Sequence, residues 1–343
     1  MPSVTIPGRR MGGAAATGRA ALMNQTSTTH PQRSPRSIAR TAVTLSVAAV
    51  VLVGAALGAA ADASATEPAE AADDAPPAVI SLGDSYSSGL GAGGYLDDCD
   101  RTPQAWNNLV FGNAVTDRTL LACSGAAIPE VMQQVRQLAG IPGAGDRLIT
   151  VTVGGNDAGF ADELVNCLVS FVSCTRREAD LTALITSLRQ PLVQLYDAVQ
   201  AAAPGDEVIV GGYPMLVPDP AVRSDCPALT GLLSTSERQM IRRLGALLND
   251  VIDDAAAEAG VESASDEVAA VFDGHEACAN TPGDWLYGLK ISWTDSTEPT
   301  TASASPYQPQ WDIVSSFVRD SFHPTGNGQA GYAVAFEEAW ASR

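Results

Sequence analysis

"ISLGDSYSSGLGAGGY", Ile80 to Tyr95, is an apolar run that stops abruptly at Gly83-Asp84-Ser85 and continues in small residues. A short apolar run without alternation has the pattern of a strand buried on both faces, which is what parallel sheets produce. Three further runs share it: Thr119–Ser124, Leu148–Gly155 and Glu207–Pro214. Between and after them, helical patterns are predicted at Pro129–Leu138, Arg176–Ala203, Ser234–Gly260 and Gly326–Ala341. In the second, Leu181, Leu184, Ile185, Leu188, Leu192 and Leu195 recur at helical spacing, and Pro191 predicts a kink. Strand–helix alternation implies an open α/β sheet covered by helices on both faces. In such sheets the site lies outside the carboxyl ends of the strands. Three of the four runs end there in suggestive residues: Gly83-Asp84-Ser85, Ser124-Gly125 and Gly154-Gly155-Asn156-Asp157.

The 343 residues, 45% hydrophobic and 17% charged, suffice for a sizeable core. Six of the 20 basic residues precede the first acidic one, Asp62, and an apolar stretch rich in Ala, Val and Gly follows them, ending in Ala63-Ser64-Ala65. Basic region, apolar region and A-x-A site together read as a secretory signal over 1–65. The competing reading is a retained anchor, since about 20 apolar residues can span a bilayer. Residues 66–77, rich in Pro and acid, read as a flexible leader, and 78–343 as the folded domain. Without the first 65 residues the balance is strongly acidic, which argues against nucleic acid or anionic lipid as a partner. Membrane contact is expected only through the N-terminal segment, and the domain is expected to be a monomer. The six cysteines all follow the signal, and an even count in an exported chain reads as a disulfide framework. Spacing alone selects none of the 15 pairings.

There is no G-x-S-x-G, no H-E-x-x-H and no Walker A loop, and the sole lysine is Lys290. If Ser85 is displayed for chemistry it needs a base, and histidine is the usual one near neutral pH. After the signal only His275 and His323 remain. His275, beside Cys278 and Glu276, reads as structural. His323 follows Asp320 by three residues, a spacing at which a turn can bring a carboxylate to the ring. An oxyanion needs donors aimed at it; Gly125 allows close backbone approach, and Asn156 carries a donating amide. Read alone, each of these residues is more simply a turn or surface residue. The loop Asp295–Trp311, just before His323, is a candidate wall of the site.

Together, "GDSYSSG", "ACSGA", "VGGNDAGF" and "DSFHP", in this order, resemble the four blocks of the SGNH (GDSL) hydrolase superfamily. "GAGGY…CDR", "YP…C" and "FDGHEAC" extend the resemblance to the secreted actinobacterial esterase and lipase branch with three disulfides. It covers nearly all of 78–343. It implies a three-layer α/β/α sandwich of flavodoxin-like type, with a central parallel sheet of about five strands. It implies Ser85 as nucleophile, His323 as general base and Asp320 as the acid orienting it. The oxyanion hole would be formed by the N–H groups of Ser85 and Gly125 with the Asn156 side chain. The implied bridges are Cys99–Cys123, Cys167–Cys174 and Cys226–Cys278. Two points depart from the pattern: "GVESASDEVAAVF" is polar where the fifth strand belongs, and some relatives hold the histidine with a backbone carbonyl instead of an acid.

The expectation is a secreted serine hydrolase acting on a small-molecule or lipid carboxylic ester through an acyl-enzyme, with no metal or organic cofactor. The alternatives are a polysaccharide acetylesterase or phospholipase on the same machinery, or a catalytically silent surface-binding protein. Retention of the N-terminal segment would leave the enzyme anchored at the cell surface.

Overall fold

A computed structural model of the chain describes residues 74–159, 174–229, 231–290 and 320–343. The signal segment, most of the leader and the Asp295–Trp311 loop lie outside the described residues. Five parallel strands form one sheet: β1 (Ala78–Gly83), β2 (Asp117–Leu120), β3 (Leu148–Thr152), β4 (Glu207–Val210) and β5 (Glu262–Ser263), in the order β2-β1-β3-β4-β5. The two strands buried at every position, β1 and β3, lie side by side near the middle, with Gly83 opposite Thr152. The edge strands are short and more polar. Such edges discourage pairing with a second chain. The expected run Thr119–Ser124 leaves the ladder after Leu120, because Leu121 and Ala122 both donate to the Ser81 carbonyl and bend the chain. As the polarity of its segment implied, β5 is only two residues long.

Helices cover both faces: α1 (Ser85–Ser88), α2 (Ile128–Leu138), α3 (Glu178–Ser187), α4 (Arg189–Ala202), α5 (Thr235–Ala259), α6 (Ser265–Phe272) and α7 (Gly326–Ser342). The helical run predicted over Arg176–Ala203 is two helices after a 3₁₀ turn, and the break falls at Leu188 rather than at Pro191. Pro191 instead occupies the first turn of α4, where no intrahelical N–H bond is lost. The ends of α5 follow from capping chemistry. The Ser234 hydroxyl accepts from the Glu237 N–H and the Glu237 carboxylate from the Ser234 N–H, while Gly260 at φ +71° closes the far end.

Helices α2, α4 and α5 pack together, as do α6 and α7, giving the three layers. Between the sheet and α7, Trp106 stacks on Tyr332 with centroids 4.6 Å apart. Gln329 of α7 is fully buried; its amide oxygen accepts from the Trp106 N–H at 3.0 Å and its NH₂ donates to the Tyr86 carbonyl at 3.1 Å. That single side chain ties the last helix to the turn bearing Ser85. Two disulfides are described, Cys99–Cys123 and Cys226–Cys278, and both match the expected pairs. The expected Cys167–Cys174 pair cannot be placed within the described residues, because Cys167 lies outside them.

Candidate active site

At the end of β1 the chain must turn out of the sheet at once. Gly83 does so at φ +126°, where a Cβ would lie 2.2 Å from the Thr152 carbonyl oxygen, so no other residue fits. The Gln134 amide clamps Gly83 from both sides, accepting its N–H at 2.7 Å and donating to its carbonyl at 2.9 Å. Asp84 then caps α1 by accepting from the Tyr86 N–H at 3.0 Å, and Ser85 opens the helix. A first-turn N–H has no helix carbonyl within reach, so the Ser85 N–H points outward as a donor.

Ser85 Oγ lies 2.8 Å from His323 Nε2, across 238 residues of sequence. His323 Nδ1 lies 3.0 Å from the Ser321 carbonyl. A carbonyl only accepts, so Nδ1 carries the proton and Nε2 presents its lone pair to the Ser85 hydroxyl. The Asp320 carboxylate is placed elsewhere. Lys290 Nζ donates to it at 3.0 Å, and the Tyr95 hydroxyl meets it at 3.4 Å. Lys290 also lies 4.0 Å above the Tyr287 ring. Burial lowers the Lys290 ammonium pKa, but the hydrogen bond and charge of Asp320 outweigh it and leave the value raised. The backbone explains the divergence: Phe322 adopts φ +60°, and the His323 N–H closes a turn onto the Asp320 carbonyl. Gly91 completes the fit, since a Cβ there would lie 2.4 Å from the Pro324 carbonyl.

The oxyanion candidates converge on the same edge. The Cys123 N–H donates to the Gly83 carbonyl, which holds the Ser124-Gly125 turn beside the nucleophile turn; Gly125 has φ +78°. The Ser88 and Ser124 hydroxyls lie 3.1 Å apart, and the Cys99–Cys123 bridge fastens the loop behind Ser85 to the same turn. Asn156 Nδ2 donates to the Ala126 carbonyl at 2.9 Å. An amide nitrogen has two hydrogens, so the second is available to a substrate. Asp157 accepts the Ile128 N–H at 3.1 Å, which anchors the turn to α2; burial, partly offset by this bond, raises its pKa.

His275 lies apart from this chemistry. Its ring stacks on Trp285 at 3.9 Å, and Nδ1 meets the Gly283 carbonyl at 2.7 Å. The residues that sequence reasoning missed are the buried polar supports Gln134, Gln329, Tyr86 and Tyr213. For the tyrosines a signal exists in "GDSYS" and "GGYP": an aromatic hydroxyl just past a buried strand needs a buried partner. The partner is Asp84 for Tyr213, at 2.5 Å, and the Phe322 carbonyl for Tyr86, at 2.6 Å. Burial pushes the Asp84 carboxyl up to about 6, against the hydrogen bonds from Tyr213, Thr152 and the Tyr86 N–H.

Residues 81–330 match the GDSL-like lipase/acylhydrolase family. Lipase 1 of Streptomyces coelicolor is 34% identical over 289 residues, which cover 82% of this chain and 91% of that one. A lipase of Streptomyces rimosus is 33% identical over 76% of this chain and 85% of that one. Among solved structures, phospholipase A1 of Streptomyces albidoflavus NA297 superposes with a TM-score of 0.61 at 34% identity, covering 77% of this chain and 99% of that one. The extracellular lipase of Streptomyces rimosus gives a TM-score of 0.59 at 32% identity, over 76% and 99% respectively. The chain therefore belongs to the GDSL-like lipase/acylhydrolase family, built on the three-layer SGNH-hydrolase fold, and is a hydrolase of carboxylic esters.

Proposed function

We propose that this ester hydrolase works through an acyl-enzyme on Ser85, with His323 as general base and the Ser321 carbonyl, rather than Asp320, holding the ring. The observation that carries the reading is the 2.8 Å contact between Ser85 Oγ and His323 Nε2. As Ser85 attacks the ester carbonyl, Nε2 takes its proton, and the Nδ1–H bond to the Ser321 carbonyl stabilises the imidazolium. The N–H groups of Ser85 and Gly125 and the Asn156 amide receive the developing oxyanion. His323 then passes the proton to the departing alcohol, and the acyl group remains on Ser85. Water, deprotonated by the same nitrogen, releases the acid and restores the serine. The chain's own residues supply every step, so the scheme calls for no metal or cofactor.

The substrate is a small-molecule or lipid ester, a choice supported by the lipases and the phospholipase A1 among the similar proteins. Export is part of the reading, supported by the N-terminal pattern and by the disulfides. The third bridge, Cys167–Cys174, belongs to it as well, since Cys174 is buried and oxidised. The test is Ser85→Ala. It should abolish both ester hydrolysis and labelling by a fluorophosphonate while the circular dichroism spectrum stays unchanged. Substantial turnover in that variant would end the reading.

A further inference from the structure

A buried polar cluster beneath the site takes no part in the acyl-transfer steps. Asp84 is 1% exposed and its carboxylate meets three donors: the Tyr213 hydroxyl at 2.5 Å, the Thr152 hydroxyl at 2.8 Å and the Tyr86 N–H at 3.0 Å. An ionised carboxylate only accepts, so the Tyr213 O–H must point at Asp84. The phenol oxygen then turns its lone pair to the Gly155 N–H, 3.1 Å away. Gly155 is the residue before Asn156, and its Cα lies close against the Tyr213 ring; a Cβ there would meet Cζ and the hydroxyl at 3.3 Å. Tyr213 is itself firmly mounted. The Asn249 side chain on α5 accepts its N–H at 2.9 Å and donates to its carbonyl at 2.8 Å.

We propose that Asp84 and Tyr213 act as one positioning unit, which holds the Gly155-Asn156 turn, and so the Asn156 amide, in register with the Ser85 turn. The proposal rests on the reading of Asn156 as an oxyanion donor. The direction of the chain is set by chemistry: a carboxylate adjoining the nucleophile orients a phenol, and the phenol orients the backbone of the donor turn. Phenylalanine would fill the same space and leave the Gly155 N–H without its acceptor. Backbone freedom gained at Gly155 would pass directly to Asn156, and a donor displaced by even about 1 Å costs transition-state stabilisation. Tyr213 touches no reacting atom, so it is a positioning residue.

A double-mutant cycle on a short-chain ester tests this. Asn156→Ala should lower kcat by about 10²–10³-fold, as loss of one oxyanion donor does. Tyr213→Phe should lower kcat by about tenfold or more, with KM held within about threefold. Its affinity for a trifluoromethyl ketone, which forms a tetrahedral oxyanion on the serine, should fall by the same factor as kcat. The double variant should be no worse than Asn156→Ala alone, because Tyr213 acts only through that turn. If the two losses multiply, or if Tyr213→Phe leaves kcat unchanged, the positioning role is overturned while the catalytic reading stands. If Asn156→Ala keeps full activity, the catalytic reading falls and this inference with it. Should Tyr213→Phe not fold, the same cycle run with the near-isosteric Asp84→Asn decides between the same outcomes.

Discussion

Removing the Asp320 carboxylate discriminates between two ways of holding His323. If the acid oriented the ring, Asp320→Ala would cost about 10⁴ in kcat, as loss of the orienting acid does in a serine protease. That equals about 5 kcal/mol of transition-state stabilisation. In this structure the 3.0 Å bond from Nδ1–H to the Ser321 carbonyl survives the change. Among the described residues, what disappears is the pair with Lys290, whose side chains are 37% and 18% exposed, and a 3.4 Å contact with Tyr95. A partly exposed pair contributes about 0–1 kcal/mol, and the Tyr95 contact is too long to add much. The expected result is therefore a loss in kcat of less than about tenfold, with KM little changed. Loosening of the loop should appear as a fall in Tm of about 2–4 °C, the shift about 1 kcal/mol produces in a domain of this size. Steady-state hydrolysis of a p-nitrophenyl ester, with circular dichroism melts on the same samples, measures both. A drop of about 10³-fold or more in kcat at unchanged fold would refute the carbonyl geometry and restore Asp320 as the orienting acid.

Asp84 carries a pH signature: its carboxyl stands at about 6 in the folded protein against an ordinary value of 3.8. A raised acid binds its proton more tightly when folded, so its contribution is fully present below pH 3.8 and is lost as pH rises through about 6. The stability of wild type relative to Asp84→Asn should fall by about 3 kcal/mol across that window in urea unfolding; a flat difference would contradict the burial of a titrating carboxyl. For the disulfides, Cys99–Cys123 and Cys226–Cys278 span 24 and 52 residues. Chain entropy then assigns them about 3 and about 4 kcal/mol, so the paired Cys→Ala variants should rank in that order. Peptide mapping without reduction should also recover Cys167 joined to Cys174, and a free thiol on either would remove the third bridge.

Much of this arrangement is legible in the sequence because its signals are local. The apolar runs at Ala78–Gly83 and Leu148–Thr152 name their own strands, and the scarcity of histidine directs the search to His323. The three-residue spacing places Asp320 near His323 but does not reveal where its carboxylate points. A left-handed residue at Phe322 turns the chain so that the Ser321 carbonyl reaches the ring and the carboxylate faces Lys290. The buried supports are illegible for another reason. Gln329 serves Trp106 across 223 residues and Tyr213 serves Asp84 across 129, and no periodicity links such partners. The boundary at Leu188 escapes the pattern because Leu181–Leu195 keeps helical spacing through the break, while Pro191 draws attention to the wrong place.

The strand order β2-β1-β3 has a metric consequence for catalysis. The candidate donors Gly125, Ser85 and Asn156 lie on turns that follow three neighbouring strands in that sequence, so the sheet sets the spacing of the strand ends from which those turns spring. Adjacent strands stand about 4.8 Å apart, a distance that main-chain hydrogen bonds set and side chains do not. Slipping β3 by one residue against the Gly83–Thr152 register would carry its donor about 3.3 Å along the strand and break the geometry outright. Substitutions on the walls leave that ruler untouched. The ladder thus separates two kinds of change: the loops are free to vary with the ester they admit, while the strand ends that carry the three turns stay as far apart as the peptide hydrogen bond sets them.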